Sequence, residues 1–175
     1  MRRYPGITLI ELLVSVAIIG LLIVATTVSI RSYLLRSDDA QRKTDLKKIS
    51  QALEQYYNDR GGYPASLSGS DDSLITCGTN VTLNPYLKDV PCDPNGGSSR
   101  PYLYIREGNS HVGTRGDQVY RAYRLLTALQ YSADPQIKEV GCPDGCGGKK
   151  ADTTTNVPDS YNFGIAANTQ LIQTP

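Results

Sequence analysis

The chain has no tryptophan and, among its 175 residues, only one phenylalanine, one methionine and one histidine. Aromatic content is carried by twelve tyrosines, side chains suited to a half-wet surface, so the domain must bury its core economically. The single histidine, His111, falls in a Gly- and Ser-rich turn where a solvated side chain is the ordinary outcome, and no GxSxG, HExxH or P-loop string is present. No catalytic constellation emerges, and the sequence predicts a protein that is not an enzyme. An excess of either charge is missing too: 18 Lys and Arg against 17 Asp and Glu give a net charge of +1. That excludes the basic footprint of a dedicated nucleic-acid binder, and no acidic run or low-complexity tract points to a disordered tail.

Helix breakers are scarce in the first third. No proline occurs between Pro5 and Pro64, and Gly20 is the only glycine in residues 7–60. One helix of about 50 residues, roughly 80 Å long at ~1.5 Å per residue, is the simplest reading. Gly20 is its weak point, since a mid-helix glycine costs about 1 kcal/mol relative to alanine. The outer half is amphipathic: Leu46, Ile49, Leu53 and Tyr56 or Tyr57 recur at three- and four-residue spacing, with Lys47, Lys48, Gln51, Glu54 and Gln55 on other faces. That stripe predicts packing against a sheet. The charges just before it, Arg31, Arg36, Asp38, Asp39, Arg42, Lys43 and Asp45, are read as candidates for contacts between subunits or as a solvated face. Gly61 or Gly62 supplies a left-handed cap, and Pro64 forbids continuation.

The inner half lacks charge. Residues 7–30 contain one ionisable side chain, Glu11, in a run long enough to span a bilayer, for which about 20 apolar residues suffice. A lone intramembrane carboxylate costs roughly 2.5–3.5 kcal/mol or more unless partnered, which makes it a functional-site hypothesis by default. Cleavage between Gly6 and Ile7 would place a new amine one helical turn from Glu11, able to pair with the carboxylate of a neighbouring subunit. A secretory signal peptide would instead end in small residues after the apolar stretch, whereas residues 26–31 run straight on into a helical pattern. Arg2 and Arg3 hold the N-terminus in the cytoplasm and place the rest of the chain outside.

The string Met-Arg-Arg-Tyr-Pro-Gly followed by Ile-Thr-Leu-Ile-Glu-Leu-Leu-Val-Ser closely resembles the N-terminal signature of type IV pilins and type II secretion pseudopilins. The resemblance implies a prepilin peptidase that cleaves after Gly6 and methylates the Ile7 amine, and it assigns Glu11 the role of assembly glutamate. The first mature residue, most often Phe in the family, is Ile here, and Val28 stands where many members have a helix-breaking proline. Tyr56-Tyr57 through Gly61-Gly62-Tyr63-Pro64 resembles the family's "YYxxxGxYP" helix ending. Tyr86-Leu87 through Pro91, Asp93-Pro94 and Gly96 resembles "YLxxxPxDPxG", with Asn95 in place of the usual aromatic and residues 97–100 inserted.

Alternation predicts a strand over 101–107, with Leu103 and Ile105 on one face and Tyr102, Tyr104 and Arg106 on the other. A turn over 108–117 leads to a partner strand at 119–127, and a third strand is expected at 160–166. Residues 133–140 are ambiguous and 142–158 read as a long loop. The predicted fold class is α+β: a long N-terminal helix, membrane-spanning in its first half, packed on a small antiparallel sheet. The segments are a leader at 1–6, a transmembrane or filament-core helix at 7–30, an amphipathic continuation at 31–60 and a globular domain at 61–175, enough for one small domain.

Four cysteines in an exported domain predict disulfides, with three connectivities possible. Neighbour pairing, Cys77 with Cys92 and Cys142 with Cys146, is favoured because each pair sits within one loop. A four-cysteine zinc site lacks paired CxxC spacing. The resemblance makes the loop acids Asp144, Asp152 and Asp159 candidates for calcium, as in the C-terminal loops of some secretion pseudopilins, but they follow no EF-hand pattern; an ordinary polar loop is the preferred reading, and no metal ligand and no cofactor is expected. The expected function is that of a structural subunit stored in the inner membrane, N-terminus inside, which polymerises into a pilus or pseudopilus. Its partners would be further copies of itself, the membrane, a prepilin peptidase and an assembly platform. The alternative is a minor pilin-like binding module that captures DNA, a surface or a secreted substrate.

Overall fold

The computed structural model describes residues 6–67, 74–79, 82–95, 102–139, 142, 146 and 161–169; side chains of 25–29 and of Arg31 lie outside the description. The chain forms two units, Met1–Ser37 and Asp38–Pro175. Helix α1, Leu9–Arg60, begins in the first and ends in the second. Its 52 residues follow from the missing prolines, and Gly20 is carried within it. Among the described residues no helix is long and apolar enough to cross a membrane; the apolar run has described side chains up to Val24 and again at Ile30.

In the second unit, Leu46, Ile49, Ala52, Leu53 and Tyr56 of α1 are buried, and Lys47, Lys48, Gln51, Glu54 and Gln55 are exposed. The buried stripe belongs to a core shared with a three-stranded antiparallel sheet of order β4-β7-β8. Its strands are β4 (Leu103–Glu107), β7 (Ala122–Thr127) and β8 (Phe163–Ala167), in register Tyr104↔Leu125 and Leu125↔Ile165. Period-two alternation sends Tyr104, Tyr123, Leu125 and Phe163 into the core that includes the helix stripe, joined by Tyr102 from just before β4. Leu103 and Leu126 point the other way and are buried too, under Tyr161, Cys142 and Cys146. The sheet is thus covered on both faces.

Tyrosine replaces tryptophan and phenylalanine in this core because each hydroxyl has somewhere to go. Tyr123 donates to Ser50 Oγ at 2.9 Å, Tyr104 to the Pro64 carbonyl at 2.7 Å, and Tyr63 to Glu54 at 2.9 Å. Burial, first of all, pushes the Tyr123 phenol up to about 12. The rings of Tyr63 and Tyr123 meet edge to face at 4.6 Å between centroids.

The stretch between β4 and β7 is more than the turn expected over 108–117. It contains β5 (His111–Val112) and β6 (Gln118–Tyr120), which join β1 (Tyr63–Pro64) in a sheet of order β1-β6-β5. This small sheet closes the C-terminus of α1. Gly61, at φ +77°, donates to the Tyr57 carbonyl, while Thr114 N donates to Arg60 O and Thr114 Oγ1 to Asp59 O. His111 corrects the sequence expectation of a solvated side chain: its Nε2 lies 2.9 Å from Gly61 O and donates to it. An exposed helix end needs acceptors satisfied, and the turn supplies the donors. Residues 133–140, ambiguous in sequence, contain the short helix α2 (Pro135–Glu139), started by Asp134, whose Oδ1 accepts from Gln136 N at 2.9 Å. A two-stranded ribbon, β2 (Gly78–Thr79) with β3 (Asp89–Val90), completes the unit.

Gly62 has no room for a side chain. A Cβ there would lie 2.6 Å from Val119 Cγ2 and 2.9 Å from the Tyr120 carbonyl, and Val119 is fully buried. Gly62→Ala is expected to lower stability by ~1–3 kcal/mol through overpacking, whereas Gly20→Ala, which meets nothing within 4 Å, is neutral or slightly stabilising. Thermal unfolding of the two full-length variants in detergent checks the contrast; equal midpoints would show that the β1–β6 approach yields freely.

Candidate functional site

Two parts of α1 hold the residues that sequence reasoning marked as functional. The first is its N-terminal turn. Gly6 and Ile7 precede the helix and are exposed, and Glu11 sits in the first turn. Thr8 is the N-cap: its Oγ1 accepts from Glu11 N at 3.3 Å. Thr8-Leu9-Ile10-Glu11 therefore has the S/T-x-x-E form of a capping box, a signal available in the sequence beside the processing motif. Beyond it Ser15 Oγ donates to the Glu11 carbonyl at 2.7 Å. Every described residue over 6–24 is exposed, Ile7 at 77 % and Leu9 at 82 %, so in this unit the apolar residues face outward on all sides of the helix.

The second part lies where α1 enters the compact unit. Arg42 is fully buried, and each of its three guanidinium nitrogens donates to a carboxylate also out of water. Nε and Nη2 grip Asp93 at 2.6 and 2.9 Å, a bidentate fork, and Nη1 donates to Asp39 Oδ1 at 2.7 Å. Asp39 in turn accepts from the backbone N–H groups of Gln130 at 2.9 Å and Tyr131 at 2.8 Å, and Asp93 from Asn95 N at 2.9 Å. With its amide oxygen turned toward the donors, Asn95 also accepts from Arg42 Nη2 at 3.1 Å and Gln130 Nε2 at 2.8 Å. Burial works against the Arg42 charge, yet the bonds and charges of Asp93 and then Asp39 outweigh it and hold the guanidinium above its ordinary value.

Two neighbours extend the clamp. Lys43 Nζ bonds Asp134 Oδ2 at 2.5 Å, tying α1 to the start of α2. Asp45 accepts from the Tyr102 hydroxyl at 3.0 Å, and burial followed by the Asp45 charge raises the Tyr102 phenol well above its usual range. These findings correct the reading of Asp39, Arg42, Lys43 and Asp45 as candidates for contacts between subunits: Asp39, Arg42 and Asp45 are buried, and all four side chains bond within their own chain. The physical reason is spacing. Positions 39, 42, 46, 49, 53 and 56 form one three- and four-residue stripe, so Asp39 and Arg42 lie on the buried face.

The cysteines pair neighbour to neighbour, Cys77 with Cys92 and Cys142 with Cys146. The loop acids Asp144, Asp152 and Asp159 lie outside the described residues, and among the described residues no group of His, Cys, Asp and Glu side chains could hold a metal ion. The arrangement is one of attachment, with one helix end buried in a domain and the other laid bare.

A long helix with an exposed apolar N-terminal half and an α+β domain on its outer half defines a pilin-like subunit. Comparison with known proteins agrees: residues 1–27 match the prokaryotic N-terminal methylation motif, and residues 30–116 match type II secretion system protein G. The type II secretion system core protein G of Pseudomonas aeruginosa is 34 % identical over 116 residues, covering 61 % of this chain and 77 % of that protein. The Vibrio cholerae protein of the same name is 30 % identical over 114 residues, 62 % of this chain and 75 % of that protein, and the Escherichia coli K12 protein is 27 % identical over 132 residues, 72 % and 81 %. No solved structure matches. The chain belongs to the type II secretion system protein G family, and so to the pseudopilins within the type IV pilin superfamily.

If the clamp carries the docking of α1, removing Asp93 leaves the Nε and Nη2 donors of a buried guanidinium without their carboxylate and only Asp39 to answer its charge. Asp93→Ala is expected to cost ~3–5 kcal/mol. Lys48→Ala, which loses only an exposed 3.6 Å pair with Asp45, should stay within ~0.5 kcal/mol of the parent. Denaturant unfolding of the two variants measures both, and equal effects would show that the Arg42 cluster contributes no more than a surface pair.

Proposed function

We propose that this chain is a structural subunit of a type II secretion pseudopilus, cleaved after Gly6, methylated on Ile7 and assembled through its N-terminal helix. The observation that carries the reading is the outward-facing apolar half of α1, which has no covering surface in its own unit. A helix that is apolar all round belongs in lipid or in the core of an assembly. The methylation motif over 1–27 supports both environments in succession, first membrane and then filament. In this proposal residues 1–6 are the leader and 7–30 the membrane and filament-core segment. The continuation over 31–60 passes into the globular domain, whose compact unit begins at Asp38.

The mechanism follows from two forces. Burial of apolar surface supplies cohesion at about 25 cal/mol per Å², but it is non-directional and does not fix the axial position of one helix against the next. Charge supplies that register: Glu11 pairs with the Ile7 amine of an adjacent subunit, since each group is costly to bury alone. The N-terminus starts in the cytoplasm, where the peptidase cuts and an assembly platform engages the subunit, and the globular domain lies on the far side of the membrane. Its role is structural and requires no catalytic group.

Glu11→Gln isolates the charge. Glutamine fits the capping box as glutamate does, so the helix start is retained while the ion pair is lost. The expected outcome is normal cleavage, with mass spectrometry showing an N-terminus at Ile7, full membrane insertion, and a loss of at least about tenfold in sheared filaments, equivalent to ~1.4 kcal/mol in the register-setting contact. Equal filament yield at equal subunit level would mean that helix packing alone sets register, and a mature N-terminus beyond Ile30 would remove the pseudopilin processing from the account.

A further inference from the structure

The two disulfides occupy opposite environments. Cys142 and Cys146 are fully buried against Leu103, Leu126 and Tyr161. Cys92, by contrast, is exposed and Cys77 half-buried. The exposed bond also has a particular neighbour. Cys77 and Cys92 flank the β2–β3 ribbon, with partners Gly78↔Val90 and Thr79↔Asp89, and Cys92 directly precedes Asp93, whose carboxylate grips Arg42.

A two-stranded ribbon is marginal in water, and this one has only two residues on each side. The disulfide closes a loop with a sequence separation of 15, a constraint that stabilises by limiting the open ensemble. Without it Asp93 keeps its bonds to Arg42 and Asn95 N, and Leu83, Val90 and the Tyr86–Asp59 bond anchor the segment before it, but the Cys92 end is no longer tied to β2 and Asp93 is free to leave the fork. Arg42 would then face Asp39 alone in a site from which water is excluded.

We propose that Cys77–Cys92 is a thiol-exchange site that acts as a redox latch on the helix clamp, Cys92 Sγ being the sulfur attacked by a dithiol oxidoreductase or small dithiol. In the reducing direction the attacking thiolate forms a bond to Cys92 Sγ. The Sγ–Sγ bond breaks, and its electron pair leaves on Cys77 Sγ, which takes up a proton from water. The second thiol of the dithiol then attacks the mixed disulfide, freeing Cys92 as a thiol and leaving the reagent oxidised, two electrons having passed to the protein. The reverse sequence, with the oxidised reagent as electron acceptor, closes the bond and sets Asp93 onto Arg42. Cys142–Cys146 does not take part, because its sulfurs are reached only after the sheet's outer cover opens.

The test uses the full-length protein in detergent, titrated with dithiothreitol, alkylated, and mapped by mass spectrometry alongside hydrogen exchange; it requires no filament. Cys77 and Cys92 are expected to label at least about tenfold faster than Cys142 and Cys146, since each ~1.4 kcal/mol of opening free energy slows the buried pair tenfold. Amides over 38–46 and 88–95 should lose protection in step with labelling of Cys77 and Cys92. The double substitution Cys77→Ser, Cys92→Ser should show the same loss without reductant, and where it fails to accumulate, stepwise reduction of the parent gives the same reading. Equal or faster labelling of Cys142 and Cys146 would overturn the exchange-site assignment. Complete reduction of Cys77–Cys92 with unchanged exchange over 38–46 would overturn the latch.

Discussion

The buried fork between Arg42 and Asp93 is the constraint on which the docking of α1 depends. Hydrophobic burial along Leu46, Ile49, Leu53 and Tyr56 holds the helix against the sheet but tolerates small slides and rotations. A guanidinium engaged on all sides tolerates neither, because any displacement leaves a charge unpaired in the interior. Asp39 extends the same constraint to the backbone at Gln130 and Tyr131, and Lys43 to the start of α2, so one turn of helix fixes three separate segments. The apolar stripe supplies most of the attraction. The ionic cluster supplies position.

At the other end of the docked half, position is set by backbone. Gly61 turns the chain, and Gly62 brings it close to Val119 and Tyr120. Thr114 and His111 take up the last carbonyls of the helix. The docked half is therefore pinned twice, by charge near Asp39 and by hydrogen-bonded turn geometry near Arg60. Between the pins, tyrosines span from core to polar edge, which is how a chain with one phenylalanine and no tryptophan fills its interior. Tyr102 and Tyr63 each end on a carboxylate of α1, Asp45 and Glu54, so ring packing and hydrogen bonding reinforce the same attachment.

Much of this was legible in the chain. The missing prolines gave away α1, the three- and four-residue spacing marked the residues it buries, and period-two alternation sorted Leu103 from Tyr102 and Tyr104. Two expectations fail for one physical reason: placing a polar side chain outside its own fold, at a subunit contact or in water, weighs its type above its position. Asp39 and Arg42 continue the stripe of Leu46 and Ile49 backward at the right intervals, and a charge on a buried face is legible as a partnered charge once its position is weighed above its type. Composition alone places His111 in solvent, although Gly61 or Gly62 and Pro64 predict the helix end that it serves. The partner Asp93, 51 residues from Arg42, was not legible at all, because nothing local specifies which carboxylate answers a buried arginine.

The same weighing applies to Glu11, the isolated acid of the apolar half of the helix, with the opposite result. Asp39 and Asp45 are buried in their own domain and find their partners there, whereas Glu11 stands in a unit whose described side chains are all exposed. Within its own unit Glu11 stands in a helix-capping position after Thr8. Capping explains an acid or amide three residues after a threonine; it does not explain why the following apolar run tolerates one, since a serine or aspartate cap without it would start the helix as well. In the proposed filament the cost of that carboxylate in an apolar environment falls to an amine on a neighbouring subunit. On that proposal the charges of the docked half are answered within the fold and Glu11, the one charge of residues 7–30, is answered by assembly.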